Sequence, residues 1–459
     1  MARGLPGVMW SGRELVDRLA RQSPARLAVG VFAVVIALVT GLLSMPWATA
    51  SGHRAPFVDA LFTATSAVCV TGLVTQDTGT YWSAAGHVTI LVAIKIGGLG
   101  VMTLASILGL AVSRRIGLTQ RLLVTSETKT TRLGEVGSLL RTVIVTSTAL
   151  EVAIALILVP RLRMLGDSWG EAAWHGVFYA VSAFNNAGFV PTEAGLTEYA
   201  SDWWVLLPII VGVFIGSLGF PVILNVARAW RRPRRWSLHA KLTLTTSVAL
   251  VAFGSVVVAA FEWTNPRTLA PMDWNETLLA SLFAGVMPRS GGFSTVDVSQ
   301  MHEGTWLLHD ALMFVGGGSA STAGGIKVTT LAVMLLAIIA EARGDRDVEA
   351  YGRRIPREAL QVAIAVSLVS ATIVLAASML LMAIMPEATL DVVLFEVISA
   401  FATCGLSTGL TAQLPDAGQY VLAVLMFIGR TGTMTLAAAL ALRSRRRVVR
   451  LPEERPIIG

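Results

Sequence analysis

The chain has 459 residues, 54% of them hydrophobic and 14% charged, against about 45 to 50% apolar and about 25% charged in soluble domains, which excludes a soluble enzyme. A mean hydropathy of +0.67 and many apolar runs of about 18 residues or more, each able to cross a bilayer core of about 30 Å, describe a polytopic membrane protein. A net charge of +7 would suit a nucleic-acid binder, but 28 of the 36 Lys and Arg fall in five clusters separated by stretches long enough to cross a membrane twice.

In chain order the clusters are Arg3 to Arg26, Arg114 to Arg141, Arg228 to Lys241, Arg343 to Arg357 and Arg443 to Arg455. Five clusters on one side predict eight crossings. Only Arg54, Arg161, Arg163 and Arg267 fall in the intervening outer loops, so both termini are expected in the cytoplasm. Trp10, Trp230, Trp236 and Tyr351 are the aromatic residues within the clusters, too few and too scattered for a platform on which bases stack, so the clusters report topology and no nucleic-acid partner is expected. The first apolar run, Leu27 to Met45, precedes Ala48-Thr49-Ala50 and invites reading as a signal peptide with its cleavage site. It is longer than an h-region of about 7 to 15 residues, and its removal would leave an odd number of spans. Two cysteines, Cys69 and Cys404, form neither a CxxC pair nor a disulfide framework.

Four copies of one pattern follow along the chain. Phe62-Thr-Ala-Thr-Ser66-Ala-Val-Cys-Val-Thr-Gly72-Leu73 aligns with Phe178-Tyr-Ala-Val-Ser182-Ala-Phe-Asn-Asn-Ala-Gly188-Phe189 and with Phe395-Glu-Val-Ile-Ser399-Ala-Phe-Ala-Thr-Cys-Gly405-Leu406. The third copy, Leu282 to Phe293, keeps the Gly292-Phe293 pair and loses Ser-Ala. About 25 residues later each copy carries a second glycine motif: Ile96-Gly97-Gly98, Ile215-Gly216-Ser217, Gly316-Gly317-Gly318 and Ile428-Gly429-Arg430. The predicted fold is therefore an all-α membrane protein of four concatenated helix, pore-loop, helix repeats, with eight transmembrane helices and four re-entrant pore helices around one pseudo-fourfold pore. The expected boundaries are a cytoplasmic segment 1–27, repeats at 28–112, 113–226, 227–342 and 343–442, and a basic tail 443–459.

The short segment before each first glycine points to the function. Phe57 to Val68 would make a helix of about 18 Å, too short for the core. It must re-enter, and non-helical backbone at membrane depth is tolerated where protein or a water-filled cavity satisfies it. Four such segments around one axis would expose carbonyls to a shared pore, and carbonyl rings that replace a hydration shell select monovalent cations. Glycine suits the position because it takes the φ > 0 conformations that aim successive carbonyls inward. Four helix C-termini aimed at the centre would add negative partial charge. Close helix packing at small residues is the alternative for any one glycine, but it does not account for four matching offsets.

These residues resemble the Trk/Ktr/HKT superfamily of potassium transporters, most closely its KtrB-type membrane subunits, from about residue 28 to 442. The most specific stretches are Thr65 to Leu73, Pro288-Arg-Ser-Gly-Gly-Phe293 and Gly316 to Thr330. The resemblance implies a potassium selectivity filter at Val70, Thr71, Gly72, Asn186, Ala187, Gly188, Ser290, Gly291, Gly292, Thr403, Cys404 and Gly405. Family members that favour sodium often have serine at the first of these glycines, so Gly72 argues for potassium. Lys95 and Gly291 depart from the family's usual uncharged polar residue and alanine, which bears on conduction rate and discrimination.

Five glycines within Gly316 to Gly325 break an otherwise apolar stretch from Trp306 to Ala342, each forfeiting about 1 kcal/mol of helix propensity relative to Ala. A phosphate-binding loop would need Gly-Lys-Ser/Thr, whereas Gly325 is followed by Ile326, Lys327 and Val328. By the resemblance the segment is an intramembrane gate under the filter, formed by Gly316, Gly317, Gly318, Ser319, Ala320, Ser321, Thr322, Ala323, Gly324, Gly325 and Lys327, with Arg430 beside it. An intramembrane arginine is a functional-site hypothesis by default. Glu151 lies mid-span, with Lys95, Lys327 and Arg430 as candidate partners and a structural ion pair favoured over ion coupling. Asp59 and Glu396, within or at the start of the short helices, read as caps.

The six histidines share no motif or repeat offset and there is no HExxH, so the enzyme alternative, an intramembrane protease or lipid transferase, lacks a catalytic constellation. The resemblance implies no cofactor in this chain, potassium as the transported ion with sodium as a candidate coupling or activating ion (symport), and a homodimer in the cell inner (cytoplasmic) membrane. It also implies a cytosolic ATP/ADP-binding regulatory subunit of KtrA type, for which Arg231 to Arg235 and Arg443 to Arg450 are candidate docking surfaces; anionic lipid would explain these clusters equally well.

Overall fold

The computed structural model describes residues 24–116 and 132–442; the segments 1–23 and 117–131 and the tail 443–459, with the basic residues read there, lie outside the described residues. Copy one comprises α1 (Pro24–Leu43), α2 (Phe57–Cys69) and α3 (Ala84–Ile116). Copy two comprises α4 (Arg132–Leu165), α5 (Trp169–Asn185), α6 (Trp203–Leu218) and α7 (Phe220–Arg228). Copy three comprises α8 (Leu238–Glu262), α9 (Trp274–Val286), α10 (Glu303–Val315) and α11 (Val328–Arg343), and copy four α12 (Arg357–Ile384), α13 (Leu390–Phe401) and α14 (Asp416–Leu442).

Helix starts follow from local chemistry. Ser168 and Glu171 form a reciprocal capping box at α5, and the backbone N–H of Ser168 holds the exposed Glu171 carboxyl below its ordinary range. Asp202 accepts from the N–H groups of Trp204 (2.9 Å) and Val205 (3.3 Å) to start α6, and Ser237 accepts from Ala240 (3.2 Å) to start α8. The second, fifth, ninth and thirteenth helices have 13, 17, 13 and 12 residues; at 1.5 Å per residue, about 18 to 26 Å, none crosses a core of about 30 Å.

Among the described residues, Ala84–Leu104, Leu140–Leu165, Leu238–Glu262 and Arg357–Ile384 are long and apolar enough to span a bilayer, and α6 with α7 would make a fifth span bent by 100°. The other three expected crossings would correspond to α1, the divided α10 and α11, and α14. Copy two departs from the continuous second span expected there. Gly219 takes φ 92° with Pro221 close behind it, so the helix hydrogen-bond ladder ends at Leu218 and restarts in a new direction. A second departure from an all-α fold is the hairpin of β1 (Val348–Ala350) and β2 (Arg353–Ile355), turned by Tyr351 and Gly352 at φ 52° and 70°, the pair of left-handed residues that a tight hairpin needs.

Apolar side chains face outwards. Val31, Val34 and Leu38 on α1, Val145, Val152 and Leu156 on α4, and Leu368, Leu375 and Met379 on α12 are each more than half exposed. Their spacings of three, four and seven place each set on one helical face, a surface suited to hydrocarbon rather than water. Inside, polar residues of the short helices are buried: Thr63, Thr65 and Ser66 on α2, and Ser182 and Asn185 on α5. The helices close a circuit: α3 packs on α5, α6 on α9, α10 on α13 and α14 on α2. The second long helix of each copy thus touches the short helix of the next copy, and the fourth returns to the first.

Candidate ion pathway

Four left-handed residues end the short segments. Val70, Asn186, Ser290 and Thr403 have φ of 56°, 59°, 75° and 47°, and two residues later Gly72, Gly188, Gly292 and Gly405 have φ of 95°, 70°, 74° and 100°. The alternation recurs in copy three although that copy lacks the Ser-Ala pair. Alternating left-handed residues turn successive carbonyls towards one side of the chain. A Cβ on Gly72 would meet the Ala187 carbonyl oxygen and lie 3.1 Å from Gly188 Cα; one on Gly188 would lie 3.0 Å from Gly292 Cα. On Gly292 it would meet the Cys404 carbonyl oxygen, and on Gly405 the Thr71 carbonyl oxygen. The four glycines therefore form a closed ring, 72 to 188 to 292 to 405 and back, in which side chains have no room. Val70, Thr71, Asn186, Ala187, Ser290, Thr403 and Cys404 are fully buried around it, and Gly291 packs against Met287 and Val213.

The repeated serine explains its own offset. Ser66 Oγ accepts from Gly72 N–H (3.0 Å) and Ser399 Oγ from Gly405 N–H (3.1 Å), while Ser182 Oγ donates to the Phe189 carbonyl (2.8 Å). Their backbone carbonyls accept from Thr71 (2.8 Å), Cys404 (2.9 Å) and Ala187 (2.8 Å). Copy three, without the serine, uses the Met287 carbonyl, which accepts from Gly291 at 2.7 Å. Asp59 and Glu396 do not cap their helices. Asp59 accepts from Thr75 Oγ1 (2.9 Å), and Glu396 accepts from Ser407 Oγ (2.6 Å), Thr408 N–H (2.8 Å) and Thr411 Oγ1 (2.5 Å), so both fasten the chain returning outwards from the ring.

The broken stretch of copy three lies against three of the four ring segments. Thr322 Oγ1 donates to Asn186 Oδ1 (2.8 Å), Gly324 N–H donates to Ser290 Oγ (3.0 Å), and a Cβ on Gly324 would meet the Ala402 carbonyl and the Thr403 hydroxyl. The bend of copy two receives it: Phe220 N–H, freed at Gly219, donates to the Ala320 carbonyl (3.2 Å), and Gly318 N–H donates to the Ser217 carbonyl (2.7 Å). Ser319 pairs with Thr329 and Ser321 Oγ donates to Gly318 O. Gly316 and Gly325 touch at the neck, with Gly317 and Gly324 bonded at 3.4 Å.

Two side-chain cations occupy three consecutive loop carbonyls. Arg430 donates to Thr322 O, and Lys327 Nζ donates to Ala323 O (2.7 Å) and Gly324 O (3.1 Å). Arg430 is 2% exposed, and its Nε and second terminal nitrogen have no partner among the described residues. Arg289 completes the group, donating to Ser247 O (3.0 Å), Ser247 Oγ (2.9 Å) and, at the limit of 3.5 Å, Gly316 O. In the sequence Arg289 stands out only as part of Pro288-Arg-Ser-Gly-Gly-Phe293; a charge within a segment expected at membrane depth is the signal that marks it.

Glu151 pairs with Lys95, Nζ to carboxylate 2.6 Å, and accepts from Asn185 Nδ2 at 2.9 Å. Lys327 and Arg430 bond to the loop carbonyls instead, and through Asn185 the Lys95–Glu151 pair fixes the end of α5 beside the ring. Lys95→Met is expected to lower stability by about 2 to 3 kcal/mol by leaving a buried carboxylate unpaired, below the usual value for a buried pair because Lys95 is 24% exposed. Lys95→Met with Glu151→Gln should recover most of the loss, measured by thermal unfolding of the purified protein in detergent.

A multi-pass helical membrane protein with a closed ring of four glycines finds its relatives among the cation transporters rather than the enzymes. The chain is a member of the family described as TrkH, cation transport protein, which matches residues 24–447. It is 38% identical over 436 residues to Ktr system potassium uptake protein B of Bacillus subtilis (strain 168), covering 95% of this chain and 96% of that one. It is 33% identical over 448 residues to the potassium/sodium uptake protein NtpJ of Enterococcus hirae, covering 96% and 98%. The crystal structure of the potassium transporter TrkH from Vibrio parahaemolyticus superposes with a TM-score of 0.72 at 16% identity, over 95% of this chain and 86% of that one, a likeness of fold.

Proposed function

We propose that the chain takes up potassium across the cytoplasmic membrane through a filter formed by the carbonyls around Gly72, Gly188, Gly292 and Gly405. The observation that carries this reading is the closed ring of four glycines, each preceded two residues earlier by a left-handed residue. Carbonyls fixed by such alternation can replace the hydration shell of a monovalent cation. The segment from Gly316 to Gly325, with Lys327 and Arg430, acts as a gate beneath the ring. The repeats are taken at the boundaries expected from sequence, as four pore loops between eight crossings with both termini in the cytoplasm.

The kinship with a Ktr system potassium uptake protein supports potassium as cargo; a homodimer controlled by a cytosolic nucleotide-binding subunit, with sodium as coupling or activating ion, belongs to the same proposal. A poorly selective or sodium-carrying transporter is the second reading, favoured by the likeness to a potassium/sodium uptake protein. Expression in a potassium-uptake-deficient bacterium, with and without a candidate regulatory subunit, should restore growth at low potassium, and the subunit should raise the effect. Tracer flux of both ions separates the readings: equal potassium and sodium uptake would reject the potassium-selective one.

A further inference from the structure

Ser290 sits at a junction that filter geometry alone does not require. Its hydroxyl donates to the Thr403 carbonyl, part of the ring segment of copy four, at 2.8 Å, and accepts from Gly324 N–H of the loop at 3.0 Å. One hydroxyl used once as donor and once as acceptor joins ring to loop directly. Asn186, the corresponding left-handed residue of copy two, does the same by another route, accepting from Thr322 Oγ1 at 2.8 Å while its Nδ2 donates to Val213 O at 3.3 Å. Thr322 also holds Arg430 through its carbonyl. All of these side chains are buried with the loop in this position. Val70, the equivalent residue in copy one, has no polar side-chain atom with which to do the same.

We infer that Ser290 and Asn186 are positioning residues that latch the loop onto the ring, so that the closed loop is held by the same hydroxyl that aims the Thr403 carbonyl. Two effects of one residue follow. Ser290 retains the closed loop, and it independently orients a carbonyl that meets the ion. The inference rests on the filter and gate reading above, and the test separates the two.

Ser290→Ala keeps a Cβ at a left-handed position and removes only the hydroxyl. In proteoliposomes containing the full chain, it should raise rubidium tracer flux about fivefold, the equilibrium change that one lost buried hydrogen bond makes. It should also lower the rubidium to sodium flux ratio. In a chain lacking residues 317 to 324 the flux increase should vanish, while the lowered ratio persists. Thr322→Val removes the bond to Asn186 from the loop side and should raise flux without changing the ratio, which keeps the test available if Ser290→Ala fails to fold. If excision of the loop raises flux and neither substitution does, the latch is wrong and the gate stands. If excision itself leaves flux unchanged, the gate reading falls and the latch with it. A Ser290→Ala flux increase of the same size in the excised chain would also overturn the latch.

Discussion

Gly72→Ser should erode the preference for potassium over sodium by about tenfold, the consequence of about 1.4 kcal/mol. That lies within the roughly 1 to 3 kcal/mol of holding a non-glycine residue in a sparsely populated conformation, and Gly72 has φ 95°. Space opposes the substitution as well, because the new Cβ meets the Ala187 carbonyl oxygen of the adjoining copy. The carbonyl that yields belongs to the neighbour, so the defect spreads around the ring, and the serine hydroxyl adds a competing ligand. Serine at Gly188, Gly292 or Gly405 should impair uptake similarly, each having a neighbour's backbone within 3.3 Å of the added atom. Relative potassium and sodium uptake in vesicles measures this; an unchanged ratio for Gly72→Ser, or an effect at only one of the four positions, would reject the ring as the filter.

Excising residues 317 to 324, or replacing Arg430 by Ala, should raise potassium flux by about tenfold or more. Gly316 and Gly325 already touch, so the excision joins chain ends in contact. Arg430 is a buried cation held by a loop carbonyl; at about 4 Å and an effective dielectric constant of about 20 it would repel a potassium ion by about 4 kcal/mol. Even a third of that repulsion corresponds to about tenfold in rate. Removing the loop and removing the charge are separate routes to the same outcome. Variants that reach the membrane in normal amounts yet carry potassium at the original rate or below would make the segment structural.

The repeated features were legible because each was written four times. A single glycine carries little information, whereas Gly72, Gly188, Gly292 and Gly405 at matched offsets locate the ring, and five glycines in ten residues announce the break before Lys327. What escaped reading depends on contacts between distant parts of the chain. Glu151 offered three candidate cations, and only folding sets Lys95 against it. The bend at Gly219 was hidden because Gly-Phe-Pro within an apolar run is compatible with a continuous span; the bend is stabilised by the Ala320 carbonyl, about a hundred residues away. Ser290 was recognised as a ring residue, but its bond to Gly324 joins segments whose proximity no local pattern encodes. The hairpin at Val348 to Ile355 was missed because three-residue strands leave almost no periodicity to detect.

Two of the four residues that end the short segments, Val70 and Thr403, are branched at Cβ and nevertheless left-handed, with φ of 56° and 47°. Asparagine or glycine would adopt that backbone readily; valine and threonine do so at about 1 to 3 kcal/mol each and only where their surroundings compel it. The compulsion comes from the circuit of helices, since α14 of the last copy presses on α2 of the first and α10 on α13. A fragment holding one copy should therefore let its valine or threonine relax into extended backbone, turning its carbonyls away from the axis. On the proposed filter reading, holding an ion is a property of the four copies closing on one another, and no quarter of the polypeptide carries a quarter of it.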